Sequence, residues 1–192
     1  MSSKKQGIIL ISREVIHSKG YQATSVSDIM EAAKIGKGQF YHYFQSKHDL
    51  GLAVVEDLVK DWEEQLIIGI LNTSNDPVTK LQRMLQWAET SHAEMEIKYG
   101  CAMGNLAIEM STQDEEFRIK INEFFNHWIN SVADILTEMM ENHQLDQSIN
   151  PKKDAESIVA MIEGGILLMV SQQNIQVLRD IFEVIIQKYH LD

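Results

Sequence analysis

Apolar residues recur along this chain at steps of three and four and almost nowhere alternate by two, which predicts an all-α protein of about nine helices. A first helix is expected over 5–19, burying Ile8, Ile9, Ile11, Ser12, Val15 and Ile16, with Gly20 free to take a left-handed stop. Ser25 and Asp28 form a capping-box pattern ahead of a stripe of Val26, Ile29, Met30 and Ala33, and a short third helix covers 37–44. Ser46 and Asp49 repeat the capping pattern before Leu50, Val54, Leu58 and Trp62, so a single fourth helix is predicted down to residue 71. The only two prolines, Pro77 and Pro151, each follow a residue suited to helix capping, Asp76 and Asn150, and mark two further starts. Five later helices are predicted over 77–95, 102–110, 114–141, 151–171 and 175–189.

Composition changes the picture in two ways. The single cysteine, Cys101, excludes an intrachain disulfide, and the opening MSSKKQG leads into no long apolar segment. The longest apolar run, 164–170, falls well short of the ~20 residues that span a bilayer, so a cytoplasmic protein without a membrane partner is expected. A net charge of −11 argues against nucleic acid until it is divided along the chain. Residues 1–50 carry a balance of +3 and the remainder −14. A basic head of 1–50 and an acidic body of 51–192 are the domains expected.

In that head three short helices follow one another, and the third is studded with hydrogen-bonding side chains. This is helix-turn-helix organisation, in which the second helix of the pair enters the major groove while the first braces against the backbone. The run Gly20-Tyr21-Gln22-Ala23-Thr24-Ser25, then Asp28-Ile29, then Lys37-Gly38-Gln39-Phe40-Tyr41-His42-Tyr43-Phe44 and Ser46-Lys47 resembles the signature of TetR-family transcriptional regulators. The resemblance implies phosphate contacts from Thr24, Ser25, Lys37, Tyr41, Tyr43 and Lys47, with Gln39 and His42 approaching bases. Physical roles agree: Phe40 and Phe44 at i and i+4 pin the helix inward, and Gly38 leaves room for DNA backbone. A carboxamide at Gln39 can pair with adenine N6 and N7, worth roughly 1–3 kcal/mol of discrimination. Two positions depart from the family pattern. Lys34 stands where glycine is common, at roughly 1–2 kcal/mol if left-handed, and Gly36 stands where a capping serine is common.

Beyond the signature only helix number and order resemble the family. That likeness implies a C-terminal ligand-binding and dimerisation domain, a homodimer through helices 8 and 9, operator DNA as partner and a small-molecule inducer. Expected at the dimer interface are Gly164, Gly165, Leu178 and Phe182. Adjacent glycines inside a helix cost about 1 kcal/mol each against alanine, which is understandable if another backbone comes close or if the helix kinks beside a cavity. Candidate inducer contacts are Trp62, Trp87, Met95, Cys101, Met103, Asn105, Phe125, Trp128 and Met161, although apolar residues at helical spacing are more often core. Cys101 lies in Gly100-Cys101-Ala102-Met103-Gly104-Asn105-Leu106, similar to a TetR subgroup with cysteine sensors of electrophiles or oxidants, at a helix N-terminus that can favour a thiolate.

Two other classes have weaker support in the sequence. Glu14…His17 and Glu89…His92 match the Glu-x-x-His spacing of di-iron bundles, but His17 lies three residues before Gly20 in a short helix, whereas a buried di-metal site needs four long facing helices with a further glutamate from each of the other two. An adaptor that has lost DNA binding is opposed by intact Lys37, Tyr41 and Lys47. No enzyme activity, cofactor or metal is therefore expected.

Overall fold

The computed structural model describes residues 3–94 and 98–192, and among these it contains helices and no strand. The helices are α1 (Ser3–Lys19), α2 (Val26–Ala32), α3 (Lys37–Tyr43), α4 (Lys47–Trp62), α5 (Pro77–Glu94), α6 (Ala102–Met110), α7 (Glu115–Glu141), α8 (Pro151–Gln172) and α9 (Gln176–Lys188), with a π-helical segment, Glu63–Leu71, directly after α4. The expected all-α class is observed.

Local chemistry sets most boundaries. Gly20 ends α1 at φ 84°, its N–H bonded to the Ile16 carbonyl at 2.8 Å. Ser25 caps α2 with both arms of the capping box formed to Asp28. Asp76 accepts the Thr79 N–H at 3.0 Å ahead of α5, and Asn150 accepts the Lys153 N–H at 3.1 Å ahead of α8. In each case a side-chain oxygen satisfies an N–H that the first helical turn leaves without a partner.

The fourth helix differs from the uniform one expected. Its buried residues Trp62, Leu66, Ile67 and Leu71 are four and five apart, a spacing that an α-helix would spread round its circumference. Widening to i→i+5 bonding, seen where the Asn72 N–H reaches the Ile67 carbonyl, returns all four to one face.

The chain divides into two compact units. The first joins residues through Asp61 to Ala102–Asn122, so α6 and the start of α7 pack with the N-terminal helices. Its core includes Ile8, Ile9, Ile29, Phe40, Phe44, Leu50, Val54 and Phe117. The second comprises Trp62–Cys101 and Glu123–Asp192. There α5 packs on the π-helical segment and on α9, and α8 packs on α9. Each fully buried Leu, Ile or Phe contributes about 1.5–3 kcal/mol against being left in water.

Gly165 belongs to the packing of α8 on α9 within one protomer. A Cβ there would lie 2.9 Å from Leu178 Cδ1 and 3.2 Å from Ile181 Cδ1, whereas a Cβ on Gly164 would meet nothing within 4 Å. Leu178 and Phe182, expected at a dimer interface, are 0% and 4% exposed inside this core, so a second copy would find no surface of theirs to cover.

Candidate nucleic-acid interface

Helix α3 is held from beneath and open above. Phe40 and Phe44 are buried with ring centroids 5.8 Å apart, and the Lys5 ammonium lies 5.2 Å from the Phe44 ring. On the opposite side Lys37, Gly38, Tyr41 and His42 are exposed, while Gln39 and Tyr43 are half-buried at the margin. Tyr41 packs edge-on against Phe40 at 5.2 Å and His42 against Tyr43 at 4.7 Å, so the outward rings are braced. A Cβ at Gly36 or Gly38 would meet nothing within 4 Å, leaving the N-terminal turn of α3 clear for a phosphate backbone.

The turn before α3 has the strain expected of it. Lys34 adopts φ 53°, and the N–H groups of Lys34 and Ile35 bond to the carbonyls of Glu31 and Met30 at 3.2 and 3.0 Å. This is the Schellman closure, in which glycine ordinarily occupies the left-handed position. Gly36 is the N-cap of α3 with no side-chain bond.

Three of the expected phosphate contacts are engaged within the fold. Thr24 is 1% exposed and its hydroxyl donates to the Gly20 carbonyl at 2.7 Å, so the side chain closes the α1–α2 turn and is not presented to DNA. Lys47 donates to the Gln22 carbonyl at 3.2 Å and lies 4.4 Å from the Tyr21 ring, and the desolvation it suffers there lowers its pKa. Ser25 is exposed but committed to its cap. Asp28 is held well below the usual carboxylate range, first by its bond from Lys19 and then by the Ser25 N–H and hydroxyl.

The anchor of this turn comes from far along the chain. Glu109 on α6 accepts the Tyr21 N–H at 2.8 Å and the Gln22 N–H at 2.6 Å across nearly ninety residues of chain. Tyr21 meets Phe117 at 5.0 Å, and burial, with the Asp114 and Glu109 charges adding, pushes its hydroxyl up to about 12. Gly51 is the counterpart of this contact: a Cβ would lie 2.5 Å from the Tyr21 ring and 2.7 Å from that of Phe117. His48 bonds Asp114 at 2.7 Å, and Arg13 bridges Asp57 and Asp61 at 2.8 and 3.0 Å.

Residues 8–54 match the family model of bacterial regulatory proteins, tetR family, and 77–184 match that of the LmrA/YxaF-like transcriptional regulator C-terminal domain. The chain belongs to the TetR family. It is 36% identical over 188 residues, 96% of this chain and 92% of the relative, to an uncharacterized HTH-type transcriptional regulator of the lacX 3′ region of Lactococcus lactis subsp. lactis. It is 26% identical to the HTH-type transcriptional repressor DhaR of Mycobacterium sp. strain GP1, over 95% of this chain and 90% of that one. A solved regulatory protein TetR from Rhodobacter sphaeroides superposes with a TM-score of 0.85 at 29% identity, covering 93% of this chain and 95% of that structure. TetR proteins are transcriptional regulators, a non-enzymatic class.

In this TetR protein the aromatic ligand candidates lie in one cluster and the others are scattered. Trp62 is T-shaped to Trp87 at 5.4 Å and to Phe124 at 5.5 Å, and Phe125 stacks on Trp128 at 6.3 Å. The Trp128 Nε1–H donates to Met84 Sδ and the Trp87 Nε1–H to Gln65, so both indoles are satisfied. Met103 is fully buried in the first unit and Asn105 is exposed there. Met161 lies beside Gly164 on the outer side of α8, away from an interior pocket. Met95 falls outside the described residues. Cys101 is buried, and its thiol bonds the Glu163 carboxyl. Burial pushes that carboxyl up to about 7, although the thiol bond works the other way; its Oε1 is wholly enclosed and has no partner.

Of the Glu-x-x-His pairs, Glu89 is bonded by Arg179 and His92 Nδ1 sits 2.7 Å from the Ala88 carbonyl oxygen. Among the described residues no group of three or more His, Cys, Asp or Glu is placed to hold a metal. No helix among them is long and apolar enough to cross a membrane.

Proposed function

We propose that this TetR regulator is a repressor acting in the cytoplasm as a homodimer on an inverted-repeat operator, with residues 1–50 contacting DNA and 51–192 carrying dimerisation and inducer response. The exposed face of α3 carries the proposal: Lys37 and Tyr41 engage phosphates while Gln39 and His42 approach bases, on a helix fixed by two buried rings. The name of the DhaR relative supports repression.

A second copy covers the apolar hollow of Met161, Gly164, Leu167, Leu168, Ile181 and Val184. Leu167 is 62% and Val184 54% exposed, across the two helices that a TetR dimer uses. Pairing would set two copies of α3 on half-sites about one turn (~34 Å) apart, or a multiple of it.

The inducer is a small molecule, and an electrophile is the chemistry that Cys101 favours. Its sulfur would add to the β-carbon of an α,β-unsaturated carbonyl, with the thiol proton passing to Glu163 and on to the α-carbon. Footprinting of the chain's own promoter region tests the whole proposal. Protection of an inverted repeat that acrolein reverses in the wild type but not in Cys101→Ser is expected. No protected repeat would overturn the repressor assignment, and reversal in Cys101→Ser would remove the electrophile alone.

A further inference from the structure

Helix α1 begins beside the end of α3 opposite to Lys37. The Lys5 ammonium lies 5.2 Å from the ring of Phe44, the C-cap of α3, whereas Lys37 opens the first turn of that helix. The seven residues of α3 rise about 10 Å from one end to the other. Lys4, next to Lys5, is exposed. Basic side chains therefore stand at both ends of a helix about as long as the major groove is wide, roughly 12 Å.

Lys4 does nothing to help α1 form. It falls in the first turn, which contains no acidic residue and whose N–H groups make the positive end of the helix dipole, so a cation is disfavoured there. Nor do neighbouring carboxylates neutralise this corner. No acidic residue precedes Glu14 in the chain, and none occurs between Glu31 and Asp49, the stretch that holds α3. Asp57, which accepts the Gln6 carboxamide at 2.5 Å, is matched by Arg13 at 2.8 Å. The excess is positive, and it lies where a duplex seated on α3 brings its anionic backbone.

We propose that Lys4 and Lys5 form a second phosphate-contact patch for duplex DNA, on backbone across the groove from that met by Lys37. The assignment rests on the reading of α3 as the DNA-contacting helix. Lys4 reaches the backbone from its exposed position, and Lys5, lying over the Phe44 ring, keeps the start of α1 at the end of α3 and adds its charge. Phosphates carry no base sequence, so the patch supplies affinity and salt dependence and leaves discrimination between duplexes to α3.

Anisotropy titrations of the full-length chain over a salt series, on a duplex from its own promoter and on a scrambled duplex, test this. Lys4→Met should lower the slope of log affinity against log salt by about one. Lys4→Met with Lys5→Met should lower it by about two, methionine keeping an unbranched apolar chain against Phe44. Affinity at low salt should fall by the same factor on both duplexes, and Lys4→Arg should keep the wild-type slope. Ethylation interference should reveal phosphates that matter to the wild type and not to the double variant, distinct from those that cease to matter in Lys37→Ala. A wild-type slope in the double variant, a loss confined to the promoter duplex, or phosphates identical with those of Lys37 would each overturn the patch and leave α3 as the DNA-contacting helix. Failure of the wild type to bind any duplex would overturn both. Should the double variant fail to fold, Lys4→Met decides alone.

Discussion

Lys34 is a lysine in a backbone conformation that glycine adopts without strain, in the turn that aims α3. Lys34→Gly should therefore raise the free energy of unfolding by up to about 1 kcal/mol in denaturant melts, the relief of left-handed strain being offset by the greater freedom of glycine in the unfolded chain. If the Lys34 charge also touches phosphate, as its exposure allows, the same variant lowers the salt dependence of DNA binding by about one unit in log–log slope. A more stable variant with an unchanged slope would limit Lys34 to a structural role.

Glu163 makes a second residue-level prediction. Its folded pKa, pushed up to about 7, lies above its unfolded value, so the folded state holds more protons than the unfolded one between those two values. Its contribution to stability therefore falls as pH rises from about 4.5 to about 7 and is flat above. Glu163→Gln should flatten the melting temperature across that window and raise stability at pH 8 by roughly 1–3 kcal/mol. An unchanged pH profile would show that the carboxyl is solvated.

At the scale of elements, what could be read in the sequence was what neighbours in the chain determine. The Ser25–Asp28 box, the Asp76 and Asn150 caps and the Gly20 stop each involve residues within four positions, and each forms. The inward pair Phe40 and Phe44 was legible for the same reason. What stayed hidden depends on distant partners: nothing around Thr24 shows that its hydroxyl turns inward, and nothing near Glu109 points to Tyr21. Periodicity likewise marked Leu178 and Phe182 as apolar without saying which side of α9 meets its own protomer. The π-helical segment was missed because a step of five looks like one lapse in a pattern of fours. Gly51 reports on the α4–α7 contact: Gly51→Ala should destabilise by about 1–3 kcal/mol by forcing the Tyr21 and Phe117 rings apart, measurable in chemical melts. A neutral result would mean that these rings have room to move.

For the molecule as a whole, the proposed pairing through the exposed apolar face of α8 and α9 would tie dimerisation to DNA binding. Leu167→Glu with Val184→Glu should give a monomer by light scattering at micromolar concentration. Operator affinity should fall by at least about 100-fold, because each monomer then holds one half-site without its mate. A variant that stays dimeric would move the interface elsewhere. Residues 1–50 carry the basic excess in an acidic chain, so affinity should also fall steeply with salt.

That the outer face of α3 reads DNA is tested most directly by fluorescence anisotropy of a duplex from the chain's own promoter against a scrambled one. Wild type should prefer the promoter duplex. Lys37→Ala should weaken both duplexes alike and lower the salt slope by about one, and Gln39→Ala should cost about 1–3 kcal/mol on the promoter duplex alone. Wild-type affinity in both variants, or equal affinity of wild type for the two duplexes, would contradict it.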